Sequence, residues 1–246
     1  MMEPFTIRLA GKTIEVHALF PKTKIFCSEY LADGVADFSV YITPEDIAFE
    51  YERAMKQESK ESKEPQQYSD TYLETLALYR KIAEKLPEYN TFLIHGSCIS
   101  VDGEGYLFTA TSGTGKSTHT RLWREFFGDR AKMVNDDKPL ITVNENGAVI
   151  HGTPWNGKHH LGENISVPLK AICVLNRGTE NSIEKMDFTD AFPILLGQTY
   201  RPKDAKSLAK TLDLLDRLGK NTDVFSLFCN MEKQAASVAY NGMNKK

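Results

Sequence analysis

The chain of 246 residues has little cysteine: Cys27, Cys98, Cys173 and Cys229 lie far apart and form no CxxC pair. That excludes a disulfide scaffold and a paired-thiolate metal knuckle. Each sits among apolar neighbours, as in LIHGSCIS and KAICVL, and reads as a reduced core residue of a cytosolic protein. No charge of one sign dominates. Thirty Lys and Arg stand against 33 Asp and Glu, for a net charge of −3, with the signs interspersed. A basic footprint is therefore missing, and no nucleic-acid partner is expected. No apolar run approaches the roughly 20 residues that span a bilayer, so no membrane role is expected. The opening MMEPFTIRLAGK lacks a basic segment followed by an apolar one, so no secretory signal is expected. A soluble, cytoplasmic, globular chain remains, long enough to bury a core without staples.

Three regions are present. Residues 1–55 read as a small β-rich N-terminal lobe. FTIRLAGKTIEVHALF alternates apolar and polar residues about Gly11-Lys12, as a hairpin does. FSVYITPEDIAFEYERA suggests a strand, a turn and an extended or helical piece. Residues 56–70, KQESKESKEPQQYSD, have almost no apolar side chain and are expected to form a mobile charged linker. Residues 71–246 are expected to form the main domain. Its first helix, Thr71 to Leu86, has a capping box in Thr71 and Glu74, a periodic face of Tyr72, Leu76, Tyr79, Ala83 and Leu86, and a stop at Pro87.

Short apolar strands and tight turns follow. TFLIHGSCISV, DGEG and YLFTA predict a hairpin. AKMVNDD predicts a strand, and PLITV with AVIHG a second hairpin about Asn146-Gly147. VPLKAICVL predicts a buried strand. KSLAKTLDLLDRLGK predicts a helix ended by Gly219. TDVFSLF and MEKQAASVAYNGM predict a last strand and helix.

Ala110 to Ser117 fits the phosphate-loop, or Walker A, pattern, with Ala110 where a first glycine is common. Gly113 and Gly115 let the backbone curl so that successive amides point inward, and the following helix N-terminus favours negative charge. Lys116 supplies a point charge for the β- and γ-phosphates, and Ser117 a hydroxyl for Mg²⁺. Ser112, Gly113, Thr114, Gly115, Lys116, Ser117 and Thr118 make up the expected nucleotide-binding set. The strand entering this loop leaves a tight hairpin rather than a helix, which departs from the usual βαβ arrangement.

Asp136 and Asp137 end the AKMVNDD strand. A strand beside the loop strand would bring them to the metal and the γ-phosphate. One could hold Mg²⁺ and the other accept a proton from an attacking hydroxyl. His95, in LIHGS, is a core histidine or one that orients an Asp. The polar stretch HGTPWNGKHHLGEN offers Lys158, His159, His160 and Glu163 as contacts for phosphate, metal or acceptor. Its adjacent histidines lack a third ligand at zinc spacing. Arg201 could approach the phosphates, although a surface salt bridge is the commoner fate.

The order HGSCISVDGEGYLFTATSGTGKST and then NDD resembles the kinase domain of HPr kinase/phosphorylase. SGTGKST also resembles the nucleotide loop of phosphoenolpyruvate carboxykinase. The resemblance covers roughly residues 91–175. It implies an α/β fold with a mixed sheet of the carboxykinase-like type, and phosphoryl transfer from ATP with Mg²⁺ to a protein serine or a small-molecule hydroxyl. Asp137 would then be the catalytic carboxylate, with His95 near it and Lys116 in the loop. Ser117 and Asp136 would serve the metal, with Glu163 near the metal and phosphates. HPr kinases assemble as hexamers; no interface signal in this sequence carries that assembly over, and a homo-oligomer is left open. The glycine-rich signature that follows the acidic pair in HPr kinases is replaced here by GTPWNGKHHLGEN, and the first lobe is unlike theirs. The chain is read as a divergent member with a different acceptor. An oxo-acid carboxykinase and an ATP-sensing module without catalysis are the alternatives.

Overall fold

The structure, a computed structural model, describes residues 3–60, 66–111, 113–145 and 147–245; the side chains of Lys60 and Lys158 lie outside that description. Contacts divide the chain into two units, Met1–Lys85 and Leu86–Lys246.

In the first unit, β1 (Phe5–Leu9) and β2 (Lys12–His17) pair antiparallel. Ala10 and Gly11 both take positive φ, 49° and 75°, the twist that a two-residue hairpin needs. The turn is thus centred one residue before the expected Gly11-Lys12. After α1 (Pro21–Phe26), β3 (Phe38–Tyr41) lies parallel to β2 and completes a three-stranded sheet. Two long helices follow, α2 (Pro44–Lys60) and α3 (Asp70–Lys85). Residues 56–60, expected to begin the linker, continue α2, and buried Glu58 accepts from the Tyr68 hydroxyl and the Gln66 amide. Residues 61–65 of the expected linker lie outside the described residues.

The expected Thr71–Glu74 capping box is replaced. Ser69 Oγ accepts the Tyr72 amide at 3.3 Å, and the helix begins at Asp70. Glu74, fully buried, serves another helix. It accepts from the amides of Leu19 and Phe20 and from the Thr23 hydroxyl, which satisfies donors at the start of α1.

The second unit contains, in chain order, β4 (Thr91–Leu93), β5 (Ser97–Val101), β6 (Glu104–Thr109), α4 (Lys116–Phe127), β7 (Ala131–Asn135), β8 (Leu140–Asn144) and β9 (Gly147–His151). Then come β10 (Ser166–Arg177), β11 (Ser182–Met186), α5 (Phe188–Gln198), α6 (Ala205–Asn221), β12 (Asp223–Cys229) and α7 (Gln234–Met243). Among the described residues nine strands form one mixed sheet in the order β4-β8-β9-β10-β6-β5-β7, with β12 pairing both β10 and β11. β10 holds it together: its start pairs antiparallel with β9, and the rest runs parallel to β6 and β12. The register shifts between Leu169 and Ala171, where the sheet curls. Helices α5 and α6 bring Leu195, Leu214, Leu215 and Leu218 to one face, onto Leu107, Ile172 and Val224. Helices α4 and α7 bring Leu122, Trp123, Ala235 and Ala239 to the other, onto Tyr106, Phe108 and Leu227. No helix among the described residues is long and apolar enough to cross a membrane.

Several expectations are corrected here. Residues 91–101 are not one strand. They break at His95–Gly96, so that β4 pairs β8 while β5 pairs β6 and β7. Gly96 permits the crossing, because a Cβ there would lie 2.7 Å from Leu107 Cδ1. The strand bearing the acidic pair does not flank the loop strand. Both edges of β6 are taken, by β5 and β10, so β7 pairs with β5 instead. Gly219 does not end its helix, because α6 continues to Asn221. It lies under the Phe188 ring, where a Cβ would come within 2.2 Å. On α4, Phe126 is half exposed and His119 is buried.

Candidate active site

β6, β10 and β12 run parallel and end at the same edge of the sheet. Antiparallel β5 brings its first residue, Ser97, to that edge, and β7 brings its last, Asn135. In open α/β sheets the crevice beyond the carboxyl ends of strands is where ligands bind.

The turn after β6 occupies this edge. Gly113 and Gly115 take φ of 79° and 117°, backbone that side-chain-bearing residues rarely adopt. Thr114 Oγ1 donates to the Thr111 carbonyl at 2.9 Å and braces the turn from within. Lys116 is the first residue of α4, and its Nζ folds back onto the Ala110 carbonyl at 3.2 Å. Burial pushes its ammonium pKa down, against the opposing charges of Asp137 and Asp136. Ser117 is exposed in the first helical turn and Thr118 is half-buried. Ser112 lies outside the described residues.

The acidic pair is held by Asn135. This fully buried amide accepts the backbone N–H of Asp137 at 2.8 Å and of Lys138 at 2.7 Å. Its Nδ2 donates to Asn156 Oδ1 at 2.8 Å and to Thr153 Oγ1 at 2.9 Å. Thr153 Oγ1 in turn donates to the Lys138 carbonyl at 2.9 Å. The acid turn and the 152–164 stretch are thereby one structure. Gly162 fits against Asn156, and Gly157, at φ 70°, sits 3.3 Å from the Asp137 Cβ if given a Cβ of its own.

The two acids are treated differently. Asp136 is buried, and Oδ1 accepts from Ser97 Oγ at 2.6 Å. Ser97 Oγ also lies 3.0 Å from Thr120 Oγ1 on α4, so hydroxyls run from the helix behind the turn to this carboxylate. Asp137 is a quarter exposed, and its Oδ1 is 2.9 Å from His95 Nδ1. The same ring nitrogen lies 3.1 Å from the Asp137 carbonyl, which fixes Nδ1 as the protonated nitrogen. Lys138 Nζ stands 3.6 Å from Oδ2. Burial would raise the Asp137 pKa, but the His95 hydrogen bond and the charges of Lys138 and His95 outweigh it and hold the carboxyl below its usual range.

The structure therefore brings His95, Lys116, Asp136 and Asp137 to one edge. The other candidates are less closely held. His159 and His160 are exposed, the latter at φ 48°, and the Lys158 side chain lies outside the described residues. The Glu163 amide bonds the Met133 carbonyl, while its side chain is exposed. Arg201 is exposed as well. The antiparallel bridge of Ile94 with Thr199, and the bond from the His95 amide to the Gln198 carbonyl, put Gln198 beside His95 and carry the chain away before Arg201. Sequence reasoning passed over Ser97, Asn135, Thr153, Asn156 and Arg177. Asn135 had a visible signal, since an Asn ahead of polar turn residues commonly accepts amides two and three residues on.

The family described as SynChlorMet cassette protein ScmC matches residues 63–235. Among curated proteins none matches. Among solved structures, the HPr(Ser) kinase/phosphatase from Coxiella burnetii is similar, with 10% identity and a TM-score of 0.35 over 61% of this chain and 94% of that one.

Proposed function

We propose that this chain, which belongs to the family of SynChlorMet cassette proteins ScmC, is an ATP- and Mg²⁺-dependent phosphotransferase acting on a hydroxyl of a protein or peptide serine, or of a small molecule. The observation that carries the proposal is Asp137, held below the usual carboxylate pKa beside His95 and within the electrostatic reach of Lys116. An ionised, oriented carboxylate at the mouth of a glycine turn suits a base that takes a proton from an attacking alcohol.

The donor set fits the nucleotide and its cation. Positive-φ glycines and a lysine at the head of a 12-residue helix suit phosphate oxygens. Ser117 and Asp136 would hold Mg²⁺, Asp136 through the oxygen that Ser97 does not take. When bound, that ion neutralises charge on the β- and γ-oxygens. Among the described residues no three His, Cys, Asp or Glu side chains gather as a protein-only metal site. Mg²⁺ commonly binds through one or two protein ligands together with substrate phosphates.

In the step proposed, the acceptor oxygen attacks the γ-phosphorus, the bond from that phosphorus to the ADP oxygen breaks, and Asp137 takes the hydroxyl proton. Lys116 stabilises charge on the transferred group. His95 donates to Asp137 and so aims it. The stretch from Thr153 to Gly157, fixed to the acids through Asn135, forms the wall on the acceptor side.

The test is transfer of the labelled γ-phosphate of ATP to peptides or extract components. Asp137→Asn should slow transfer by about 10²- to 10⁴-fold while leaving ATP binding in place. Equal rates in the two proteins would remove Asp137 as the base. ATP binding without turnover across a broad acceptor screen would favour a sensing module.

A further inference from the structure

Arg177 closes β10, the parallel neighbour of β6. Val174 is level with Thr109 in that pairing, so Arg177 stands level with the turn that follows β6. Its Nη2 donates to the Gly113 carbonyl at 2.6 Å. Gly113 is one of the two positive-φ glycines, so the contact falls on the peptide whose orientation shapes the turn. The guanidinium is exposed, and no carboxylate among the described residues lies within ion-pair distance of it. Of its five N–H groups one is used in this bond.

Sheet order determines the side on which this cation stands. β5 and then β7, with the acidic pair, lie to one side of β6, and β10 lies to the other. Lys116 is under the influence of the two acids. If the terminal phosphate faces Asp137, the phosphates nearer the nucleoside face β10. We infer that Arg177 is a nucleotide-contacting residue, which holds the Gly113 peptide with one N–H and takes the phosphates nearer the nucleoside with the others. This rests on the proposed nucleotide site. It adds a second cation on the side opposite the acids, and the class of ligand it recognises is a nucleoside polyphosphate.

A residue that merely ties the turn down acts through a hydrogen bond, whereas a phosphate contact acts through charge as well. The experiment is calorimetric titration of the full chain with MgATP and with magnesium tripolyphosphate. Its four proteins are wild type, Arg177→Ala, Arg177→Gln and Arg177→Lys, each first checked for an unchanged melting temperature. Arg177→Ala and Arg177→Gln should bind both ligands about tenfold more weakly, and Arg177→Lys should recover most of the loss. The gap between wild type and Arg177→Gln should narrow as salt is raised. Arg177→Ala binding within twofold of wild type, or Arg177→Gln recovering as well as Arg177→Lys with no change in salt dependence, would overturn the assignment. Wild-type protein that binds neither ligand would instead remove the nucleotide site itself, and the inference with it.

Discussion

Asn135 has no charge and performs no chemistry, yet five hydrogen bonds meet on its buried amide. Its oxygen orders the acid turn and its nitrogen orders the facing stretch, so the two halves can be separated by substitution. Asn135→Ala leaves the amides of Asp137 and Lys138 without their acceptor and should cost about 3 kcal/mol in urea unfolding. Asn135→Asp keeps that acceptor but turns an oxygen toward the Thr153 carbonyl and Asn156 Oδ1. Hydrogen exchange should then quicken at residues 153–157 while Asp137 and Lys138 stay protected. Uniform quickening across both segments would show that the amide does not divide its work in this way. At this scale the sequence is informative where chemistry demands a residue type. Lysine after paired glycines and two consecutive acids after a short strand stand out, and folding brings them to one edge. Ser97 was overlooked because its hydroxyl shows its worth only through a partner distant in sequence, Asp136, 39 residues away, whereas Asn135 carried a local signal in its bonds to the amides of Asp137 and Lys138.

Elements depend on packing as much as on propensity, and α6 shows the two in conflict. Glycine inside a helix costs roughly 1 kcal/mol relative to alanine, so propensity alone favours Gly219→Ala. The Phe188 ring occupies the space that the new methyl would need, at 2.2 Å. Phe188 itself packs on the core beneath α5 and α6. Overpacking of this kind costs about 1–3 kcal/mol, so Gly219→Ala should lower rather than raise the thermal midpoint. A raised midpoint would mean that the ring moves aside freely. The same conflict explains why Gly219 looked like a helix end: a terminal glycine and a contact glycine look alike in a sequence. Strand identity suffered similarly. Apolar residues from Phe92 to Val101 read as one run, and the break between β4 and β5 falls where the amides of His95 and Gly96 turn to the carbonyls of Gln198 and Asp137, partners no sequence pattern reveals. Hairpins were easier to see, since Asp102 and Gly103 take the two positive φ values that their turn requires. The placement of β7 beside β5 was not legible, because strand order depends on which edges are already taken.

For the whole molecule, composition spoke to class, while acid stability depends on two histidines that composition cannot single out. His119 is buried under Trp123, whose indole N–H donates to His119 Nε2 at 3.0 Å. Burial pushes its pKa down to about 4. His151 is buried between Thr142 Oγ1 at 2.9 Å and Ser166 Oγ at 2.7 Å, and burial likewise pushes it down to about 4. In the unfolded chain both return to about 6.5. Between those two values the unfolded state binds more protons than the folded one. Stability is therefore full above about pH 6.5, falls as pH drops, and levels off for these groups below about pH 4. Each contributes on the order of 3 kcal/mol across the window, against a total of roughly 5–15 kcal/mol for a typical domain. Asp137, whose pKa is depressed, loses its contribution only at lower pH, so the two causes separate on the pH axis. The urea midpoint should fall steadily from about pH 6.5 to pH 4.5 through proton uptake by the unfolded chain, whereas Trp123 fluorescence of the folded protein should change only near pH 4, where His119 itself takes a proton and can no longer accept the indole N–H. His119→Gln should flatten roughly half of that slope. A midpoint that stays level from pH 7 to pH 4.5 would mean that water or a shifted side chain already reaches both rings, and the buried acceptor for Trp123 would have to be abandoned.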